Sequence, residues 1–307
     1  MNTSIIKILS AAILCLAVSG CGKDSFDKPD YYTRVASTEL GQMLVNGSGN
    51  CVSHVKTDKV TKLMDGVTLL DMGYLNSASH AMHIYIYKVE LVPAMVKVSL
   101  PDDGTKVEKV QKMTDQAMAI ENKGTYLVMG GISGSAFTAD TGAPKGILYH
   151  NGKAISSNMN KDAAFFAIMK DGAAVCLGSE DFASRKDKIT EGLSGPAMII
   201  QSGYVLSESD ATETARTAVG VDESGSTVYL AVVDGGDFFY SNGISGNDMA
   251  QILKGCGAYT AMTLNTGNNV TAFMRNENSL EMFEVINKPS NMGLEAAVGN
   301  GLVIVQY

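Results

Sequence analysis

Thr227-Val-Tyr-Leu-Ala-Val-Val-Asp-Gly235 is the stretch that most limits what this chain can become. Seven β-favouring or small apolar residues in a row predict a buried strand that delivers Asp234 to its C-terminal end. Gly235 and Gly236 let the chain turn beside that acid. Ser245 then opens a helix, with Asp248 three residues on as an imperfect capping box. Met249, Ile252 and Leu253 form its apolar stripe, and Gly255 and Gly257 close it. A second strand, Tyr259 to Leu264, runs into the polar Asn265-Thr-Gly-Asn-Asn269. The two strands and the helix bring two polar loops toward one edge, a place where ligands often bind in α/β units.

The preceding chain alternates in the manner of sheet. Ala81 to Leu91 is rich in β-branched and aromatic residues and predicts a strand, as does Met95 to Leu100 before the Asp102-Asp-Gly104 turn. Met113 to Asn122 has helical composition, with Thr114 as cap and Gly124 as stop. Tyr126 to Met129 predicts a short strand meeting a glycine-rich loop, Gly130-Gly-Ile-Ser-Gly-Ser135. Asn151-Gly152, Asp171-Gly172 and Ser202-Gly203 lie between apolar runs and predict hairpins. The fold class that follows is α+β, a mostly antiparallel or mixed β-sheet core with a few flanking helices. There is no internal repeat and no low-complexity linker.

Residues 1–20 read as a signal peptide: Lys7 precedes an apolar run, Ile8 to Val18, too short to span a bilayer comfortably. It ends in Val18-Ser-Gly-Cys21, which looks like a bacterial lipoprotein cleavage box and makes Cys21 the lipidation site. Residues 21–45 read as a polar tether and 46–307 as the folded domain. The expected location is therefore a bacterial cell envelope, facing the periplasm or the cell surface. A hydrophobic content of 45% supports a substantial core. The net charge of −8 sets aside nucleic acid and anionic membrane surfaces as partners, because both repel it.

Several chemistries lack their residues. Cys51, Cys176 and Cys256 remain after Cys15 and Cys21 are assigned to the leader; an odd number permits at most one disulfide, and buried free thiols are the simpler reading. No CxxC pair and only four histidines argue against a metal centre, and His80 and His83 point to opposite faces if they stand on a strand. No cofactor motif is present: Gly130 to Ser135 is not followed by GK[ST]. Gly192-Leu-Ser-Gly195 falls one residue short of a nucleophile elbow. With no tryptophan, the aromatic platform for a sugar would be Phe238-Phe-Tyr240.

Six segments in series resemble the phosphodiester glycosidase family, whose animal relative uncovers mannose 6-phosphate by removing a covering N-acetylglucosamine. They are Ala215-Arg-Thr-Ala-Val-Gly220, Val232-Val-Asp-Gly235, Ser241 to Asp248, Gly257-Ala-Tyr259, Asn287-Lys-Pro-Ser290 and Glu295-Ala-Ala-Val-Gly-Asn300. Fainter similarity reaches upstream through Lys88 to Leu91, Val110 to Ala117 and Gly130 to Phe137. The resemblance implies hydrolysis of a sugar-1-phosphodiester or a related exopolysaccharide linkage, so the partner is a glycan or sugar phosphodiester. Such chemistry asks for a carboxylate near the oxocarbenium-like centre and a cation for the phosphate. Asp234 and Glu295 are the available acids, and Arg216 the arginine. Asn265, Asn287, Asn300, Gly130 and Gly131 are the expected substrate-binding residues.

The departures are equally specific. Where relatives carry Asn-Leu-Asp-Gly-Gly-Gly-Ser, this chain has Thr263-Leu-Asn-Thr-Gly-Asn-Asn269, so an acid becomes Asn265. Asparagine of the Asn-Gly-Gly pattern is Met129, and an arginine near the end is Ala296. An amide serves as neither nucleophile nor base. Two functions therefore stay open: a phosphodiester glycosidase with a degenerate site, and a non-catalytic lipoprotein that binds a glycan or a partner protein. Anchoring is testable directly. Cys21→Ser is expected to move the protein from the membrane fraction to the aqueous one and to remove the lipid mass from its N-terminal peptide.

Overall fold

The apolar run beginning at Thr227 is a central strand. In the computed structural model, which describes residues 33–206, 211–276 and 281–307, it pairs antiparallel with Ala81–Glu90 on one side and Arg216–Val221 on the other. Residues 1–32, with the expected signal peptide and Cys21, lie outside the described residues.

In chain order, helix α1 (Glu39–Gly47) precedes β1 (His54–Met64), β2 (Val67–Leu75), β3 (Ala81–Glu90) and β4 (Met95–Ser99). Helix α2 (Met113–Glu121) leads to β5 (Leu127–Ser133), β6 (Leu148–His150), β7 (Lys153–Ser156), β8 (Ala164–Met169) and β9 (Ala174–Gly178). After the single turn α3 (Phe182–Arg185) come β10 (Ile189–Gly195), β11 (Met198–Gln201), β12 (Tyr204–Val205), β13 (Arg216–Val221) and β14 (Thr227–Val233). Helix α4 (Gly246–Cys256) is followed by β15 (Thr260–Thr266), β16 (Ala272–Arg275), β17 (Phe283–Val285) and β18 (Gly301–Gln306). The large sheet has the order β1-β2-β3-β14-β13-β15-β11-β12; two five-stranded sheets have the orders β7-β6-β10-β8-β9 and β17-β16-β5-β18-β4. Neighbouring strands within them are antiparallel, in keeping with the expected α+β class.

Side-chain alternation builds the layers. Along β14, Val228, Leu230 and Val232 enter a core shared with the two smaller sheets. Tyr229, Ala231 and Val233 enter the opposite core, beneath α1 and α4. A strand covered on both faces needs apolar residues at every position, which is why Thr227 to Val233 reads as an unbroken run. Helix α4 has the expected caps: the Ser245 hydroxyl accepts from the Asp248 backbone N–H, and Gly257 closes it at φ 110°. Helix α1 lays Leu40, Leu44 and Val45 beside α4. Glycines let the two helices touch: a Cβ on Gly47 would stand 2.5 Å from the Gly255 Cα.

Helix α1 corrects the expected boundary at 46. The compact unit begins at Thr33, because Leu40 and Leu44 are core residues and Thr38 caps the helix from inside the supposed tether. A second difference concerns Gly130 and Gly131, expected in a loop. They lie within β5, where Gly131 pairs with Phe273 of β16 and Val303 of β18. A glycine run weakens a strand in isolation, so the sequence pattern favours a loop; two flanking strands override it here. The three thiols are free, with Cys176 and Cys256 buried and Cys51 half-buried. Burial pushes the Cys51 and Cys256 thiols up to about 12, which leaves them without thiolate character at neutral pH.

Gly131 provides a test of packing against ligand binding. A Cβ there would stand 2.4 Å from the Leu302 carbonyl oxygen and 2.9 Å from a Phe273 ring carbon. Gly131→Ala is expected to lower the unfolding free energy by about 1–3 kcal/mol in urea denaturation, the usual cost of overpacking.

Candidate functional site

Strand direction gathers three of the expected residues at one edge. Because β13 is antiparallel to both β14 and β15, those two strands end together, and Arg216 pairs with Val233 and with Thr266. Asp234 and Asn265 thus flank Arg216 on either side. Their side chains then diverge. Ala218, two residues beyond Arg216, belongs to the core under α4, and Arg216 faces the same side by strand alternation. It is 4% exposed; its Nε donates to the Ile244 carbonyl at 3.1 Å and its Nη2 to that of Thr212 at 3.3 Å.

Asp234 occupies the other face, with its backbone N–H bonded to the His83 carbonyl. One carboxylate oxygen accepts from the Asn287 amide at 2.8 Å and the other from the Lys288 backbone N–H at 2.9 Å. Burial raises the Asp234 carboxyl above its ordinary value, against the pull of those two donors. Asn287 also accepts from the Ala272 N–H and donates to Val270, tying the acid to β16. Beside it, His83 Nε2 meets Asp71 Oδ1 at 2.7 Å, and its ring stacks on Tyr240 with centroids 4.7 Å apart. Tyr240 shares a hydroxyl contact with Tyr85 at 3.0 Å. Asp71 carries no sequence signal, and in sequence His83 is weighed only with His80 as a metal pair. Their meeting depends on the β2–β3 register, which places Asp71 opposite Tyr85 and Gly73 opposite His83. His80 has a different partner, Glu213, at 2.9 Å, so the two histidines are separate features. Of the aromatic run, Phe238 and Phe239 are 70% and 86% exposed.

Asn265 opens onto a cavity of about 350 Å³ at the ends of β10 and β15. Thr266, Ser194, Asn160, Lys145 and Lys161 also line it. Neither lysine meets a carboxylate among the described residues, and no acid is among the lining residues. The Asn265 side-chain oxygen Oδ1 accepts from the Thr266 N–H, which leaves its side-chain N–H groups available to a ligand. Asn300 acts from behind the wall: its Oδ1 accepts from the Ser135 N–H at 2.7 Å and hydroxyl at 3.1 Å. The next residue, Ala136, lines the cavity. Ser194 sits in the segment that resembled an incomplete nucleophile elbow; Lys145, Asn160 and Lys161 had no sequence signal, since loop lysines and asparagines occur throughout the chain.

Glu295 stands apart from both places. Its carboxylate accepts from the Thr114 N–H at 3.0 Å and the Thr114 hydroxyl at 2.7 Å, capping α2, whose N-cap residue Lys112 makes no side-chain cap. Burial raises its carboxyl, and the Thr114 bonds oppose that. Gly130 and Gly131 lie inside the sheet, a Cβ on Gly130 standing 2.8 Å from the Phe273 carbonyl oxygen. The edge therefore holds Asp234 with Asn287 on one face, Asn265 at the cavity and Asn300 behind it.

Comparison with known proteins places this geometry. The model of the phosphodiester glycosidase family matches residues 126–305, more than half of the 307-residue chain. Among solved structures, the chain is similar to a hypothetical protein from Synechocystis at a TM-score of 0.60 and 11% identity. That match covers 82% of this chain and 64% of the Synechocystis protein. It is similar also to the catalytic domain of zebrafish N-acetylglucosamine-1-phosphodiester alpha-N-acetylglucosaminidase, auto-inhibited by its pro-peptide. There the TM-score is 0.59 at 17% identity, with 81% of this chain and 87% of that one covered. No curated protein matches the chain significantly.

Arg216 separates structure from binding. Arg216→Ala removes a buried guanidinium from the Ile244 and Thr212 carbonyls, and a stability loss of roughly 1–3 kcal/mol or more is expected by urea denaturation. A variant with an unchanged midpoint and abolished sugar-phosphate binding would instead place Arg216 in the ligand site.

Proposed function

This chain belongs to the phosphodiester glycosidase family, and from that premise we propose that it binds a sugar-1-phosphodiester or related phosphorylated glycan in the cavity at Asn265. The observation that carries this reading is the lining itself: Lys145 and Lys161 offer cations, while Asn160, Asn265 and Ser194 offer polar groups. A phosphate needs cations and N–H or O–H donors, and sugar hydroxyls bond amides and serine equally well. Lysine supplies a point charge where an arginine fork would supply a fixed geometry. Arg216, the phosphate ligand expected from sequence, is buried and gives N–H groups of Nε and Nη2 to the Ile244 and Thr212 carbonyls.

Hydrolysis in this reading is weak. Attack on the oxocarbenium-like centre, or activation of water, takes a carboxylate. Asn265 contributes an amide where relatives carry the acid, and Asp234 has both oxygens engaged by Asn287 and Lys288. Glu295 caps a helix. Ser194, without a paired histidine base in the cavity lining, is a hydrogen-bonding group here, not a nucleophile. The cleavage box ending at Cys21 supports a place in a bacterial envelope, with the domain reaching its glycan from a lipid anchor.

Titration of the purified chain with N-acetylglucosamine-1-phosphate tests the binding. The Lys145→Ala/Lys161→Ala double variant is expected to lose at least about tenfold in affinity, and wild-type affinity should fall as salt rises. Unchanged affinity in the double variant would overturn the reading. Asn265→Asp is expected to raise turnover of an N-acetylglucosamine-1-phosphodiester by about 10²-fold or more if the missing acid limits catalysis.

A further inference from the structure

We infer that a second cavity, of about 600 Å³ at the opposite end of β10, is a binding site for a neutral polyhydroxylated ring such as a pyranose. It lies beside Glu191, whereas the first cavity lies beside Ser194 of the same strand. At about 3.3 Å per residue the two are roughly 10 Å apart along β10. Its volume falls within the range of about 300–1,000 Å³ common to small-molecule sites.

The floor is a buried ion pair. Lys97 and Glu191 are 8% and 4% exposed, and Lys97 Nζ meets Glu191 Oε1 at 2.6 Å. Lys97 also donates to Asn151 Oδ1 at 2.7 Å. Glu191 accepts from the Val98 and Asn151 N–H groups and meets His150 Nδ1 at 3.2 Å. His150 Nε2 in turn lies 3.2 Å from Asp103. Burying such a network gains little stability over well-packed apolar residues of similar volume. Placed at the bottom of a cavity, fixed and partly unsaturated, it is suited to recognition.

Counting donors and acceptors defines the ligand. Lys97 has three N–H groups, of which Glu191 and Asn151 take two, and its Nζ lies 5.0 Å from the centre of the Tyr126 ring at the cavity wall. Asn151 presents two amide N–H groups, and its Nδ2 lies 2.8 Å from His150 Nε2. Thr190 donates its hydroxyl to the Ile168 carbonyl and keeps its lone pairs for a ligand hydroxyl. The site thus offers both donors and an acceptor at one end. Charge at the floor is already balanced, so an anionic group seated there would have to compete with Glu191 for Lys97, and Lys170 lies at the solvent rim where water screens it. The remaining wall is mainly apolar and aromatic, with Leu91, Met95 and Ile168 and with Tyr126 and Tyr307 at a ring separation of 5.0 Å, and exposed Lys170 stands at its rim. A pyranose matches both halves, presenting a C–H face to apolar and aromatic carbon and hydroxyls to the polar end.

The test uses the full chain and rim variants that leave the buried pair intact. Asn151 has φ 51°, so Asn151→Gly keeps the turn while removing the amide, and Tyr307→Ala removes an exposed ring. Glucose, mannose, galactose and N-acetylglucosamine are titrated with binding followed by ligand-detected NMR. At least one is expected to bind saturably, at least tenfold more weakly in each rim variant, and unchanged in the Lys145→Ala/Lys161→Ala variant of the first cavity. The inference is overturned if none binds saturably, if the rim variants bind as wild type does, or if only a charged sugar such as glucuronate binds. Loss of binding in the lysine variant with the rim variants intact would overturn it too, assigning neutral sugars to the first cavity. Success or failure here leaves phosphate binding at Asn265 to its own titration.

Discussion

Everything in this molecule is arranged around one strand that must be covered twice. β14 presents apolar side chains to both faces, and each uncovered face would leave several large side chains in water at about 25 cal/mol per Å² of apolar surface. The chain meets that demand with unlike partners. Helices α1 and α4 cover one side, drawn together by Gly47 and Gly255, and the two smaller sheets cover the other. Helix α2 then covers the outer face of β5 and β18 through Met113, Ala117 and Ile120. The layering follows from period-two alternation in strands that are buried on both sides.

The same arrangement decides which polar groups are free to act. At the edge where β14 and β15 end, Arg216 faces the helix side and Asp234 the sheet side. Adjacent strands bring their backbones within hydrogen-bonding distance, and alternation sends their side chains apart. An arginine and an acid that look like one catalytic pair in sequence are therefore two buried groups on opposite faces, each with its own hydrogen-bond partners. What is left to meet a ligand at this edge is Asn265, with lysines and an asparagine brought by distant loops. In the proposed function, these groups serve electrostatic capture of a phosphorylated ligand rather than strong acid–base chemistry.

Some features depend only on local physics, and these were legible in the sequence. The run from Thr227, the Ser245 cap and the left-handed Gly257 each carry their own signal. So do the hairpins at Asn151-Gly152 and Ser202-Gly203, whose backbones take positive φ. The family resemblance, resting on short segments in order, was legible for the same reason, and the family model's match to residues 126–305 shows the same membership.

Features that require two distant segments to meet were decided by the tertiary structure. Gly130 and Gly131 became strand because β16 and β18 flank them closely enough to exclude a side chain. Helix α1 became part of the domain because α4 supplies the partner for Leu40 and Leu44. Glu295 became a helix cap because Thr114, far away in sequence, had no other partner for its N–H. The pairing of Lys97 with Glu191 and of Asp71 with His83 depends on strand register and sheet packing. Residue type and local spacing thus determined the elements and the family of this protein. Long-range packing determined which of its charged groups are consumed by the fold and which remain for a ligand, because only burial and register set the partners each group finds.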